Sequence, residues 1–232
     1  MLDFDRFTHL TFDCYGTLID WERGILAALR PILARHGAGL TDDQILERYG
    51  ELEAAAEAGP YQTYRAVLAT VMNGLGARLG FTPTAEERTA LADSVGDWPP
   101  FPDTVAALQA LGSRYRLVIL SNIDDDLFAR SARHLPVEFA AVITAQQVGS
   151  YKPNPRHFHV ALDRLGVPVD RVLHVAQSLF HDIAPARALG LTTVWVNRRH
   201  DRPGFGATPP ATAQPDLEVP DLRTLAELSV KS

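Results

Sequence analysis

The stretch LTFDCYGTLID, residues Leu10–Asp20, decides the fold of this chain. Its apolar first half has the character of a short buried strand, and this half ends on a single carboxylate, Asp13. Tyr15 and Gly16 then turn the chain, and Thr17 can cap the segment after the turn. An aspartate at the carboxyl end of a buried parallel strand lies where open α/β sheets bind ligands. The stretch therefore predicts an α/β protein in which Asp13 is a nucleophile.

Two patterns come after this strand. Over residues 18–98 the apolar positions recur at helical spacing in about four consecutive helices, with no convincing strand between them. Further strands are expected at Tyr115–Ser121, Ala140–Ala145, Val172–Ala176 and Thr192–Val196, alternating with helices, whereas residues 201–220 are expected to be loop. We therefore predict a doubly wound parallel-sheet core, residues 1–17 and 99–232, with residues 18–98 inserted as a helical cap domain.

Composition narrows the classes of function. The 232 residues carry a net charge of −6, which disfavours a nucleic-acid partner because phosphate backbones need a basic face. The longest apolar runs have strand length, so no membrane span is expected. The single cysteine, Cys14, fits a reducing compartment, and no signal peptide is visible. We expect a soluble cytoplasmic protein.

Polar side chains follow four of the expected strands. They are, in chain order, Asp13 with Thr17, Ser121 with Asn122, Lys152, and Gln177 and Ser178 with Asp182. Taken singly, such groups are more often helix caps, turns or solvated loops. Because the carboxyl ends of parallel strands share one edge of a sheet, the four groups are expected to converge there. Together they predict an active site.

In order and context these groups resemble the four motifs of the haloacid dehalogenase superfamily. The motifs read DCYGTL at 13–18, LSN at 120–122, YKPNP at 151–155 and QSLFHD at 177–182. The resemblance covers most of the chain and implies a Rossmann-like core with a cap. Most members of the superfamily are magnesium-dependent phosphatases, which carry aspartates where this chain has Tyr15 and Gln177. With two carboxylates fewer, the site approaches neutrality without a dication, so we expect no required metal.

The first motif is similar to that of the L-2-haloacid dehalogenases, and this resemblance implies roles for single residues. Asp13 would attack carbon, Thr17 would orient it, and Lys152 would hold its charge. Ser178 and Asp182 would position Lys152 and the hydrolytic water. Substrate would be bound by Tyr15, Ser121 and Asn122, and by Arg48, which would receive the halide. Arg48 could equally be a surface residue on a helix rich in glutamates.

Longer stretches resemble the azetidine-2-carboxylate hydrolases, which open a strained amino-acid ring. They include residues 12–21, 119–124, 149–155 and 197–200. The expected substrate is therefore a small carboxylic acid, attacked through an aspartyl ester at a carbon bearing halogen or ring nitrogen. A magnesium-dependent phosphatase acting on a small phosphate ester and a non-catalytic acid-binding pseudoenzyme remain alternatives. The resemblance also favours a homodimer. The histidines at 174, 181 and 200 are expected to be structural or surface groups.

Overall fold

A six-stranded parallel sheet lies at the centre of the computed structural model, which describes residues 2–230. The strands are β1 His9–Phe12, β2 Arg116–Ser121, β3 Ala141–Thr144, β4 Val172–Ala176, β5 Thr192–Val196 and β6 Leu217–Val219. Their order is β3-β2-β1-β4-β5-β6, and all five pairings are parallel. The chain winds outward from β1 in one direction and then in the other, so the predicted doubly wound sheet is confirmed.

Helices cover the sheet and extend beyond its carboxyl edge. They are α1 Trp21–Arg35, α2 Asp42–Glu57, α3 Tyr64–Leu79, α4 Ala85–Ser94, α5 Thr104–Gly112, α6 Asp125–Ser131, α7 Ala145–Val148, α8 Arg156–Leu165, α9 Ala184–Ala188 and α10 Leu222–Val230. The first four follow one another between β1 and α5, as the sequence predicts. The division into domains at 18 and 98 stays a prediction. Within residues 2–230, every helix is too short or too polar to cross a bilayer.

One element of the sheet departs from the sequence prediction. The stretch expected to be loop, 201–220, contains β6, which pairs with β5 through Val194 and Leu217. The strand has only three residues, one of them Glu218, so it is too short for an alternating pattern to show. The helix expected from Ile183 is also different, because a turn of π-helix, Leu179–Ile183, precedes α9.

Short polar contacts set where the inserted helices begin. Thr41 and Gln44 form a capping box at the start of α2, each side chain accepting a hydrogen bond from the other's backbone N–H (3.3 and 3.0 Å). The first N–H groups of α3, from Tyr64 and Arg65, donate to the two carboxylate oxygens of Asp124 at 2.9 and 3.1 Å. Asp124 lies just beyond β2, so α3 is anchored to the carboxyl edge of the sheet.

Candidate active site

The nucleophile candidate, Asp13, lies one residue beyond β1 at the carboxyl edge of the sheet. β1 is buried throughout, and the Asp13 N–H still donates to the Val175 carbonyl at 3.1 Å, which fixes its backbone. The Thr17 hydroxyl donates to Asp13 Oδ2 at 2.7 Å and accepts from the Gln177 N–H at 2.9 Å. Gly16 makes the turn between them at a φ of +93°, a conformation that favours glycine. The sheet and the turn together hold Asp13 in place while leaving it 8% exposed.

Lys152 joins the two aspartates of the site. Its Nζ donates to Asp13 Oδ1 at 3.0 Å, to Asp182 Oδ1 at 2.6 Å and to the Leu120 carbonyl at 2.9 Å, which uses all three protons of the ammonium group. Burial works to lower the pKa of Lys152, but the two carboxylates raise it above its usual value. Burial raises the pKa of Asp13, and Lys152 and Thr17 oppose that rise. These two contacts favour the ionised carboxylate that a nucleophile needs.

Asp182 reaches Lys152 from the π-helical turn after β4. The Ser178 hydroxyl begins this turn by accepting the His181 N–H at 2.8 Å. His174 Nε2 lies 3.0 Å from Asp182 Oδ1, and its Nδ1 lies 2.9 Å from the Thr11 hydroxyl. Burial acts to raise the pKa of Asp182, yet Lys152 and His174 together bring it to about 2. These contacts favour the ionised form of Asp182 and set its position from two sides.

A small cavity opens against Asp13, with a volume of about 30 Å³ open to the centres of water-sized groups. It is lined by seven of the predicted site residues: Asp13, Tyr15, Ser121, Asn122, Lys152, Ser178 and Asp182. Thr17 stands behind Asp13 and contacts it directly. The structure thus brings eight of the nine predicted residues together at one edge of the sheet.

The ninth, Arg48, does not line this cavity. It is partly exposed on α2, whereas Glu53 and Glu57 are the residues of that helix that line the cavity. Tyr49, Glu53 and Glu57 are spaced four residues apart and so lie on one face of the helix. Arg48 precedes Tyr49 by one residue and therefore points about 100° away from that face. No arginine is among the cavity's lining residues in the described chain. The placement of Arg48 does not support a halide-binding role.

Two further predicted residues use their polar atoms elsewhere. The Tyr15 hydroxyl donates to Ser131 Oγ at 2.8 Å, so this residue presents its ring to the cavity. The Asn122 side chain accepts from the Lys152 N–H at 2.7 Å and donates to the Lys152 carbonyl at 3.0 Å. Asn122 therefore holds the lysine segment in place. The Ser121 hydroxyl, 1% exposed, has no hydrogen-bond partner among residues 2–230.

Sequence reasoning missed the acidic wall of the cavity. Glu53 is 3% exposed, and the hydroxyls of Tyr49 (2.8 Å) and Tyr64 donate to its Oε1. Glu57 Oε2 accepts from Asn122 at 3.2 Å. Burial raises the pKa of Glu53 to about 7, although the two tyrosine hydrogen bonds act to lower it. The pKa of Glu57 is raised well above its usual value, mainly by burial and then by the nearby charge of Glu53. The available signal was the spacing 49, 53, 57, which extends a buried apolar stripe of α2.

Residues from the π-helical turn and the C-terminal loop complete the wall. His181 lines the cavity, although a structural or surface position was expected, and burial lowers its pKa to about 4. Thr208 lines it from the loop before β6. This loop is close to α2: a Cβ on Gly50 would lie 2.4 Å from the Ala207 carbonyl oxygen. Arg199 ties the same loop to α1 through Glu22 at 2.7 Å.

The residues present do not fit a magnesium ion. Among residues 2–230, no group of three or more His, Cys, Asp or Glu side chains is arranged to hold a metal. The Lys152 ammonium group occupies the space between Asp13 and Asp182, and the neutral Gln177 stands beside them. The absence of a metal requirement stays a prediction.

Known proteins are similar to this chain in sequence and in fold. The sequence profile of the haloacid dehalogenase-like hydrolases matches residues 7–190. The chain belongs to this family. This haloacid dehalogenase-like hydrolase is 28% identical over 193 residues to (S)-2-haloacid dehalogenase 1 of Pseudomonas sp. (strain CBS-3), which covers 81% of this chain and 83% of that protein. It is 27% identical over 225 residues to haloacetate dehalogenase H-2 of Moraxella sp. (strain B), covering 94% and 96%.

The fold of this haloacid dehalogenase-like hydrolase is shared with solved dehalogenases. The crystal structure of L-2-haloacid dehalogenase PA0810 matches it with a TM-score of 0.80 at 26% identity, covering 97% of this chain and 100% of that chain. The predicted superfamily, its Rossmann-like fold and its hydrolase class are confirmed. The resemblance to the azetidine-2-carboxylate hydrolases stays a prediction.

Proposed function

We propose that this hydrolase displaces a leaving group from a carbon atom of a small 2-substituted carboxylic acid through an ester on Asp13. One observation carries the proposal: Asp13 faces the cavity between Lys152 and Thr17, and the hydroxyl of Tyr15 is turned away to Ser131. The site therefore offers a carboxylate nucleophile with no proton donor two residues further on. A leaving group that departs without a proton, such as halide, suits it. The similarity to dehalogenases of 2-haloacids and haloacetate supports this chemistry.

The reaction proceeds in two steps. In the first, an Asp13 oxygen bonds to the substrate carbon, and the electron pair of the breaking bond leaves with the halide. In the second, water attacks the ester carbonyl carbon, the hydroxy acid departs and the Asp13 carboxylate is restored with release of a proton. Asp182 Oδ2 is buried at the cavity without a partner among the described residues, so it can accept a hydrogen bond from that water. Lys152 stays charged throughout and holds Asp13 in line.

Isotope labelling tests the ester. Excess protein should be mixed with (S)-2-chloropropionate in oxygen-18 water for a single turnover and then digested for peptide mass analysis. We expect the label on Asp13, because water attacks the ester at the aspartyl carbonyl. Asp13→Asn should lose turnover and serves as the control. Label found only in the product hydroxyl would contradict the covalent route.

Ring opening of azetidine-2-carboxylate is a second candidate within the same chemistry. It is favoured by the cavity lining, in which no arginine of the described chain is available to receive a halide. Asp13 would bond to the ring carbon while the electron pair of the carbon–nitrogen bond returns to nitrogen, which is already protonated and leaves as a neutral amine. Hydrolysis then gives a hydroxylated amino acid. Chloride release and hydroxyamino-acid formation, measured on the two substrates in parallel, distinguish the candidates.

Two other outcomes would replace the proposal. Strong phosphate release from a small phosphate ester, abolished by a chelator, would favour a magnesium-dependent phosphatase. Binding of carboxylic acids with no turnover of any substrate in the panel would favour an acid-binding pseudoenzyme.

A further inference from the structure

The cavity holds more carboxyl groups than the proposed reaction uses. Asp13 and Asp182 share the single ammonium group of Lys152. Glu53 and Glu57 line the same cavity from α2, and no other lysine or arginine is among its lining residues in the described part of the chain. Four carboxyl groups, two of them with pKa values raised by burial, therefore surround one ammonium group. An anionic substrate alone would add to this imbalance.

The two glutamates are held as a built site. Both tyrosine hydroxyls reach the same oxygen of Glu53, so among residues 2–230 its Oε2 is left without a hydrogen-bond donor. The Asn122 side chain donates to Oε2 of Glu57, and among residues 2–230 the Oε1 of Glu57 likewise has no hydrogen-bond donor. The Glu57 side chain is only 6% exposed. Because the free oxygens belong to carboxylates that are already positioned, little reorganisation is needed for them to receive a donor.

An independent observation also points to a ligand in this cavity. Three buried polar atoms of its lining have no hydrogen-bond partner in the described chain: Ser121 Oγ, Asp182 Oδ2 and His181 Nε2, which lies 3.9 Å from Glu57 Oε2. Ser121 and Asp182 are each 1% exposed. Buried polar atoms without partners are costly, and a bound molecule with donors and acceptors would satisfy them.

We propose that Glu53 and Glu57 bind a protonated amine of the substrate. The substrate class is then an amino acid or cyclic amino acid that carries its leaving group close to the ammonium group. Such a molecule adds no net charge to the cavity, whereas a simple carboxylate anion adds one negative charge, and it supplies N–H donors to the free carboxyl oxygens. The assignment rests on the proposed function in one respect, because the amine must lie near the carbon that Asp13 attacks. It also accounts for an acidic α2 wall where a halide-binding arginine was expected.

A matched pair of ligands tests the amine directly. Azetidine-2-carboxylate and cyclobutanecarboxylate have the same ring size and the same carboxylate, and they differ in an NH₂⁺ against a CH₂ group. Binding is measured by calorimetry on the Asp13→Asn protein, so that turnover does not interfere. We expect the azetidine to bind at least about tenfold more tightly, and the preference to fall about tenfold on Glu53→Gln or Glu57→Gln. Glu51→Gln is the control, because Glu51 is exposed on the same helix and paired with Arg78.

Proton release gives a second measurement that needs no glutamate variant. The charged or titratable groups facing the pair are Tyr49, Tyr64, Tyr151, Asp13, Lys152 and His181. A bound cation favours the ionised form of both glutamates, so azetidine binding near pH 7 should release protons. Calorimetry in buffers of different ionisation enthalpy measures this release. Cyclobutanecarboxylate should release none.

Several results would overturn the assignment. They are equal affinity for the two ligands, an unchanged preference in both glutamine variants, or binding of Mg²⁺ or Mn²⁺ that is lost in those variants. The last result would assign the carboxylates to a metal ion. If the amine preference holds while oxygen-18 never reaches Asp13, the amine site stands and only the ester route fails.

Discussion

At the scale of single residues, Lys152 is the side chain on which the site most depends. It is 1% exposed and binds two carboxylates that would otherwise repel each other. Burying three charges is costly, so the arrangement is tolerated because each proton of the ammonium group has an acceptor. The same geometry gives the two aspartates different surroundings, since Asp13, the proposed nucleophile, faces the cavity and Asp182 is bound to His174.

Replacing Lys152 by methionine tests this dependence. Lys152→Met should lower the free energy of unfolding by about 3–5 kcal/mol, because Asp13 and Asp182 remain buried without a counter-charge. Adding Asp182→Asn should recover part of that loss, since one of the uncompensated charges is then gone. Urea unfolding of the two single variants and the double variant measures the coupling. A double variant in which the two losses simply add would contradict the expectation.

Glu53 should make stability depend on pH in a defined direction. Its pKa is about 7 in the folded protein against an ordinary value of 4.5, so the folded state binds the proton more tightly. The stabilisation is complete below pH 4.5 and is lost as the pH rises through about 7. Relative to Glu53→Gln, the unmodified protein should therefore lose stability over this range. Urea unfolding from pH 4.5 to 8 measures the difference in the free energy of unfolding between the two proteins. The Glu51→Gln variant is the control, because Glu51 is exposed. A constant difference between the two proteins would contradict the assignment.

The sequence predicted the site residues that follow the strands better than those that lie on α2. Asp13, Lys152 and Asp182 follow strands, and parallel strands end at one edge, so their meeting could be predicted. Arg48 and Glu53 lie on a helix, where the position of the axis and its rotation decide which residue faces the cavity. One sequence leaves that rotation undetermined when charged residues occupy several faces.

At the scale of elements, α1 packs closely on the segment that leads back to the sheet. Gly24 lies in α1 against the ring of Trp98, and a Cβ there would stand 2.2 Å from the ring carbon Cγ. Trp98 is 2% exposed and its Nε1 donates to Ser94 Oγ at 3.0 Å, which leaves the ring little freedom to move. The glycine is therefore required for this contact.

Two alanine substitutions should have opposite effects. Gly24→Ala should destabilise the protein by about 1–3 kcal/mol through overpacking, although alanine favours helices. Gly112→Ala in α5 is the matched control, because its Cβ would meet Leu117 at 3.4 Å, an ordinary contact. That variant should be neutral or stabilised by up to about 1 kcal/mol. Thermal and urea unfolding measure both. Stabilisation by Gly24→Ala would contradict the prediction, because it would show that the Trp98 ring can move to accommodate the added methyl group.

Element boundaries show what local sequence could and could not give. The capping box at Thr41 marks the start of α2 because its two hydrogen bonds are local. β6 has no local signal, since its three residues are held by pairing with β5 and by the burial of Val219 in the core. The π-helical turn that presents Asp182 was also missed, because the contact of Asp182 with Lys152, 30 residues earlier in the chain, leaves no signal in the local sequence.

At the scale of the whole molecule, the helices over the sheet edge are held by contacts from several parts of the chain. Asp124 caps α3 from beyond β2, and the Tyr151 hydroxyl donates to the Gln62 carbonyl at 2.8 Å. Arg199 reaches α1 from beyond β5. The cavity is closed by these contacts together, so its size depends on how the helices and the sheet are joined.

Metal removal should leave the protein unchanged. Dialysis against a chelator, followed by turnover and thermal unfolding measurements, should show the same rate and the same midpoint. The reason is that Lys152 already supplies the positive charge between Asp13 and Asp182. Addition of magnesium should likewise have no effect. A raised midpoint or a magnesium-dependent rate would contradict the charge argument.

The loop that carries Thr208 has a consequence for how this protein could acquire new substrates. The loop borders the cavity, yet it precedes only the outermost strand, and none of its residues is among the proposed catalytic groups. Substitutions in this loop can enlarge or narrow the cavity while the Asp13 carboxylate keeps its position. Substitutions at the periphery of the fold can therefore change which substrates this protein accepts without altering the proposed reaction.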